Sequence, residues 1–265
     1  MNIFIRELKA HRRSLILWSI AILFMIISAI GKFSAYAESG QSMNELLSQI
    51  PKSIKAVLGM GSFDLTTISG FYGMFYLYIV LMAAIHASML GANIIAKEER
   101  DKTAEFLLVK PVSRGKVITA KLLASLFNII VFNLVTLILS IALLGKYGSG
   151  EDITGEIIIL MVGMFLLQMI FLFIGTGIAA AGRHPKSAAS IATAVLLVSF
   201  ILSSAINMSS KLEGFKYITP FKYFEAEKLL NEDGFQPVFL GLSFVIIAIL
   251  VCVTYIFYKK RDMKV

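Results

Sequence analysis

Charge is scarce in this 265-residue chain: Asp, Glu, Lys and Arg make up 16% of it, against 57% hydrophobic residues. That is too few water-facing side chains to clothe a soluble fold, which excludes a water-soluble globular domain. A single cysteine, Cys252, excludes an intrachain disulfide. The three histidines, His11, His86 and His184, are scattered, so no Cys/His metal cluster is expected. Phosphate-cradling chemistry is missing as well: Gly115-Lys116 and Gly145-Lys146 have neither the upstream glycine nor the following hydroxyl of an ATP-binding loop. Neither H-E-x-x-H nor G-x-S-x-G occurs, and no aspartate-rich repeat is present to hold magnesium diphosphates. No catalytic residue, metal or cofactor is expected, and the chain is not its own ATPase.

Long apolar runs are abundant. A helix needs about 20 residues to cross a hydrocarbon layer of roughly 30 Å, and such stretches run over 14–31, 71–96, 122–144, 157–181, 188–208 and 238–258. None of the six contains Asp, Glu, Lys or Arg, and all five prolines fall in the connections, so each helix can keep its backbone paired internally. The fold class is all-α: one polytopic membrane domain of six transmembrane helices, with short amphipathic interfacial helices.

The net charge of +8 is compatible with nucleic acid or with a membrane protein, and its distribution favours the membrane. With the amino-terminal arm, the second and fourth connections and the tail on one side, that side holds 17 of the 25 Lys and Arg. By the positive-inside rule both termini are cytoplasmic in a multi-pass cell-membrane protein, and no nucleic-acid partner is expected. Ala35-Tyr36-Ala37 after the first apolar run has the form of a secretory cleavage site. We read the run as a retained span, because its removal leaves an odd number of spans and breaks the charge pattern.

Polar residues inside the spans are few. His86, with Asn93 two turns later on the same helix face, is the only weakly eligible proton relay, and a neutral histidine bonded within the bundle is the favoured reading. Asn133, Thr136 and Ser140 share a stripe on the third span, and Gln168 stands alone in the fourth. Such groups either knit helices together or line a solute path; helix contact is favoured, and the six residues form a weak candidate path. His11 and His184 are expected at the surface. Gly175 with Ala179 and Gly177 with Ala181 are small-residue pairs that permit close helix approach.

The connection over 97–116 is charged and helix-compatible, with Glu98 and Lys102 spaced as an i, i+4 pair, an apolar face at Ala104, Leu107 and Leu108, Pro111 as a stop and Ser113 as the cap of the next helix. Its mixed charge suits a protein partner better than anionic lipid. The arm, with Ile3, Phe4, Ile5 and Leu8 among Arg6, Lys9, Arg12 and Arg13, reads either as an interfacial helix or as topogenic charge alone. On the extracellular side, amphipathic segments over 42–60 and 211–237, the latter including Tyr217 to Leu230, are expected to lie on the bilayer, where they could form a lid.

Four of these features together resemble the integral-membrane subunits of ABC-2-type ATP-binding-cassette transporters over nearly the whole chain. They are the basic arm; Glu98-Glu99 followed by Thr103-x-Glu105-x-Leu107-Leu108-x-x-Pro111-Val112-Ser113-Arg114; Thr219-Pro220-Phe221-x-Tyr223; and Arg261-Asp262. Family members often carry glycine before that threonine, where this chain has Lys102, so a helical turn is expected here. The resemblance implies a permease subunit of an exporter, energised by a separate ATP-binding-cassette ATPase. That ATPase docks on a coupling helix within Glu98 to Arg114, with Glu98, Glu99, Thr103, Glu105, Leu107, Leu108, Pro111 and Arg114 as its coupling residues. It also implies a second permease chain, identical or not, and contact with membrane lipid. The alternatives are an ion-coupled secondary transporter, for which His86 is the residue to change, and a non-transporting membrane scaffold or sensor.

Overall fold

The computed structural model describes residues 2–38, 50–51, 54–55, 58–60, 63–103, 112–147, 153–231 and 234–260. The long helices are α1 (Ile3–Glu38), α2 (Ile68–Arg100), α3 (Arg114–Tyr147), α4 (Thr154–Ala181), α5 (Ala188–Met208) and α7 (Pro237–Lys260), with the short α6 (Ala226–Asn231) between the last two. All six long helices have the length and composition to cross a membrane, and no strand occurs among the described residues.

Local chemistry explains several of the limits. The Asn2 side chain accepts from Phe4 N at 3.1 Å and so caps α1, which then runs unbroken through the basic arm and the first apolar run. At 36 residues, or about 54 Å, it is longer than the bilayer core is thick. The arm is therefore the first turns of the same helix and not a separate one. Thr67 Oγ1 accepts from Gly70 N at 3.1 Å to open α2, and Ser113 Oγ accepts from Lys116 N at 3.4 Å at the start of α3. The amide of Gly182 closes α4 on the Ile178 carbonyl at 2.8 Å.

α2 and α4 form the inner pair. In their most apolar stretches 72% and 61% of residues are buried within the protein, against 17 to 28% in the other four helices, whose remaining apolar faces are left for lipid. Glycines let the two come close: a Cβ on Gly91 would overlap the Leu172 carbonyl, and one on Gly175 would overlap the Ser88 carbonyl. Close packing of backbone on backbone replaces the hydrophobic drive that helices lack inside a lipid phase.

Contacts fix which helix ends lie together. Arg6 of α1 reaches Glu98 of α2, Glu98 reaches Lys121 of α3, and Arg114 of α3 donates to the Lys259 carbonyl of α7 at 3.0 Å. An apolar cluster with Ile94, Val117, Ala180, Ala188 and Tyr258 adds the end of α4 and the start of α5 to the same end, here called the basic end.

At the opposite end the chain between α5 and α7 winds through 3-10 turns over Ser210–Tyr217 and Pro220–Lys222 into α6. The expectation that Tyr217 to Leu230 lies on the bilayer is corrected for its larger part: Tyr217 and Ile218 are exposed, while Phe221, Tyr223, Phe224 and Leu229 are buried in the main core, where Tyr223 stacks on Phe239 at 5.0 Å. The aromatic side chains have more to gain from the aromatic-lined bundle interior than from the interface. Burial raises the Tyr223 phenol to about 12. Most of the segment 42–60 lies outside the described residues.

Candidate functional site

α1, α2 and α3 meet at the basic end through buried charge. Glu98, in the last turn of α2, is 5% exposed; its Oε1 accepts from Arg6 Nη2 at 3.0 Å and its Oε2 from Lys121 Nζ at 2.5 Å. Lys121, wholly buried, also donates to the Ile94 carbonyl. Glu7, likewise wholly buried, accepts from Arg6 Nη2 at 2.9 Å, and its other oxygen lies 3.9 Å from Lys97 Nζ and from His11 Nε2. Taking ions out of water is costly and is offset only by close, well-aligned partners, so removing Lys121 or Glu98 leaves a buried charged atom without its closest partner.

This arrangement alters several expectations. Glu98 does not pair with Lys102; its partners are Arg6 and Lys121 on two other helices. Nor is the turn at Lys102 helical. Its φ is +55°, the left-handed region, with Lys102 N donating to the Glu99 carbonyl at 3.4 Å and Thr103 N to the Glu98 carbonyl at 2.8 Å. That is a Schellman termination, and Lys102 takes the conformation that glycine favours at this position. The helix stops because the chain reverses hand there, without a proline. His11 is not a surface group: its side chain is 12% exposed and faces Glu7. His184 is exposed.

Of the coupling residues named from the sequence, Glu98 is internal, Glu99 and Arg114 are half-buried, and Thr103 is exposed. Glu105, Leu107, Leu108 and Pro111 lie outside the described residues. The connection that carries them thus departs from α2 just beyond Glu98 and enters α3 one and a half to two turns before Lys121, so the buried pair straddles its two roots.

The polar residues inside the spans are engaged mostly with neighbouring helices. Asn133 Nδ2 donates to the Met161 carbonyl and to Gln168 Oε1, both at 3.2 Å, joining α3 to α4. Ser140 Oγ and Tyr72 OH, 2.7 Å apart, join α3 to α2. Thr136 bonds back to the Phe132 carbonyl of its own helix at 2.9 Å, and Asn93 Oδ1 accepts from Arg100 Nη1 at 2.7 Å. His86 is buried between Trp18 and Phe132, with ring centroids 5.6 and 4.8 Å away, and its Nδ1 has no hydrogen-bond partner among the described residues. Asn133 and Gln168 meet; His86 and Asn93 line a different groove, between α1 and α2. The six residues therefore do not share one lining. Among the described residues no three His, Cys, Asp or Glu gather in a way that would hold a metal ion.

Compared with known protein families, residues 1–263 match the family described as ABC-2 family transporter protein. The chain belongs to that family. No curated protein matches the chain at a significant level. As an ABC-2 permease it is a multi-pass, membrane-spanning transport subunit, and such subunits are not themselves catalytic.

Sequence reasoning missed two members of the permease's charged cluster. Glu7 is the lone acid in a basic arm, and that isolation is the signal: on a helix heading into a membrane, an acid among cations is placed to be paired. Lys121 was counted with the basic residues of its side. Its position two turns into α3, next to an apolar run, gave the hint that it is buried.

Proposed function

We propose that the permease is one half of an exporter in the cell membrane, with both termini in the cytoplasm, and that a separate ATP-binding-cassette ATPase drives it by docking on the connection between α2 and α3. A second permease chain completes the working unit, and residues 1–265 act as one transmembrane domain. The docking contact is read at Leu107 and Leu108, flanked by Glu99, Thr103, Glu105, Pro111 and Arg114. Glu98 sits behind that surface as the transmitter.

The observation that carries the reading is the bond from Glu98 to Arg6 on one side and Lys121 on the other. Both roots of the connection and the start of α1 are tied by short charged contacts, so force applied to the connection reaches three helices together. Packed cores rearrange between discrete states rather than deform continuously, and a partner that prefers one state shifts the balance by its difference in affinity. Membrane-spanning helices alone have no such input.

Replacing Leu107 and Leu108 together by Asp tests the docking half. The ATPase should no longer co-purify with the permease, and transport should stop; retained association with unchanged transport would overturn the reading.

A further inference from the structure

A groove between α1 and α2 at the basic end has no part in the coupling described above. It encloses about 250 Å³, and its walls include His11 and Trp18 of α1 with His86, Asn93, Lys97 and Arg100 of α2. His86 and Arg100 are fourteen positions apart on α2, about 21 Å along the axis, so the two ends lie at different depths in a membrane. The shallow end is cationic and the deep end aromatic, with Trp18 tilted against His86.

Three observations point to an anionic occupant. His11 Nε2, which lines the groove at its shallow end, is a buried atom without a hydrogen-bond partner among the described residues and stands 3.9 Å off Glu7 Oε2, too far for a bond; His86 Nδ1, likewise unpartnered, lines the deep end. The charge count is unbalanced: the cluster behind the groove has cations at Arg6, Lys97 and Lys121 against carboxylates at Glu7 and Glu98. Arg6 and Lys121 hold the carboxylates at 2.5 to 3.0 Å while Lys97 stands off at 3.9 Å, so the surplus charge is that of Lys97, at the groove wall. Arg100, already on Asp101 at 3.0 Å and on Asn93 Oδ1 at 2.7 Å, adds a guanidinium beside the Lys97 ammonium at the rim.

The groove also opens sideways. Ala10 at its edge is exposed, and Leu17 and Phe24, at seven-residue spacing on the same stripe of α1, are both 67% exposed. That stripe is an apolar track running from the cationic rim toward the middle of the membrane, the geometry of a headgroup followed by an acyl chain.

We propose that the groove holds the phosphodiester headgroup of an anionic membrane lipid, its phosphate at Lys97, Arg100 and His11 and its acyl chain along Leu17 and Phe24. A free phosphate has the same charge chemistry but leaves the aromatic half and the apolar track empty. The assignment does not depend on where an ATPase docks.

The test uses the full-length permease, stripped of lipid in neutral detergent and offered phosphatidylglycerol, phosphatidylcholine or inorganic phosphate, with bound lipid read by native mass spectrometry and stability by the thermal unfolding midpoint. Phosphatidylglycerol should be retained about tenfold over phosphatidylcholine, since each cation near an anionic headgroup adds to its attraction, and should raise the midpoint. Lys97→Gln with Arg100→Gln should abolish the preference, while Lys9→Gln, an exposed cation outside the groove, should leave it intact. Ala10→Trp fills the open edge without touching a charge and should also abolish retention, which keeps the test decisive if the charge variant fails to fold. Equal retention of the two lipids, unchanged retention in Ala10→Trp, or the same stabilisation by inorganic phosphate would each overturn the proposal.

Discussion

The two ends of the bundle are held by different chemistry. At the basic end α1, α2 and α3 share two buried carboxylates among buried or half-buried cations. At the opposite end neutral links join the long helices, with Tyr72 OH and Ser140 Oγ 2.7 Å apart, Tyr76 OH donating to the Leu160 carbonyl at 2.8 Å, and the Tyr223 ring on Phe239; the largely buried ion pair there, Lys222 with Glu225 at 2.6 Å, is local to the chain between α5 and α7, and Lys222 also donates to Asn207 of α5. Neutral bonds between membrane helices average about 0.6 kcal/mol and can be lost singly. A buried charge that loses its partner costs several kcal/mol. Across α1, α2 and α3 the basic end therefore holds or breaks as a unit, whereas the neutral contacts between long helices at the other end can yield one at a time. A device that converts docking into helix movement benefits from the first behaviour.

The largest effect that would sharpen this contrast is expected from Lys121→Ala, which leaves Glu98 Oε2 unpaired with Arg6 as the carboxylate's one remaining cation and should cost about 3 kcal/mol, read as a lowered thermal midpoint in detergent. Replacing both partners, Lys121→Met with Glu98→Gln, should recover most of that stability, because no unpaired charge remains. A loss under about 1 kcal/mol for the single variant breaks the comparison, since the pair would then behave like an exposed one.

Smaller effects are expected at the other end. Tyr76→Phe should cost about 1 kcal/mol, the loss of one buried hydrogen bond. A double-mutant cycle on Tyr72→Phe and Ser140→Ala should return a coupling of about 0.6 kcal/mol; a value near that of the ion pair would erase the difference between the ends. Smallest of all, Lys102→Gly should change stability by no more than about 1 kcal/mol, because glycine enters the left-handed turn without strain but loosens the unfolded chain. Lys102→Pro, which fixes φ near −65°, should by contrast disrupt the turn and reduce ATPase co-purification.

The six membrane helices were legible because spans of that kind are written in long runs of one residue class, and because proline was kept to the connections. The close crossing of α2 and α4 was half legible: the sequence pointed to small pairs within α4, while the actual approach uses Gly91 against Leu172 and Gly175 against Ser88, one glycine from each helix. Pairings across helices were not legible. Glu98 and Lys102 have the spacing of a local pair, yet a left-handed turn separates them and the partners come from positions 6 and 121. Local spacing governs a pair only while the helix continues, and the long-range partners depend on which ends the fold brings together. Likewise Tyr217 to Leu230 reads as a half-polar surface strip, and only the packed bundle reveals the aromatic pocket that takes in Phe221, Tyr223 and Phe224.

In the proposed function the buried charges transmit what the connection receives. That transmission is tested most directly by reconstituting the permease carrying Lys121→Met and Glu98→Gln with its co-purifying ATPase in sealed vesicles, and measuring ATP hydrolysis and solute movement together. The ATPase should stay bound and hydrolyse ATP while transport per ATP falls at least about tenfold, roughly 1.4 kcal/mol of lost coupling. Transport per ATP equal to that of the unaltered protein would contradict it.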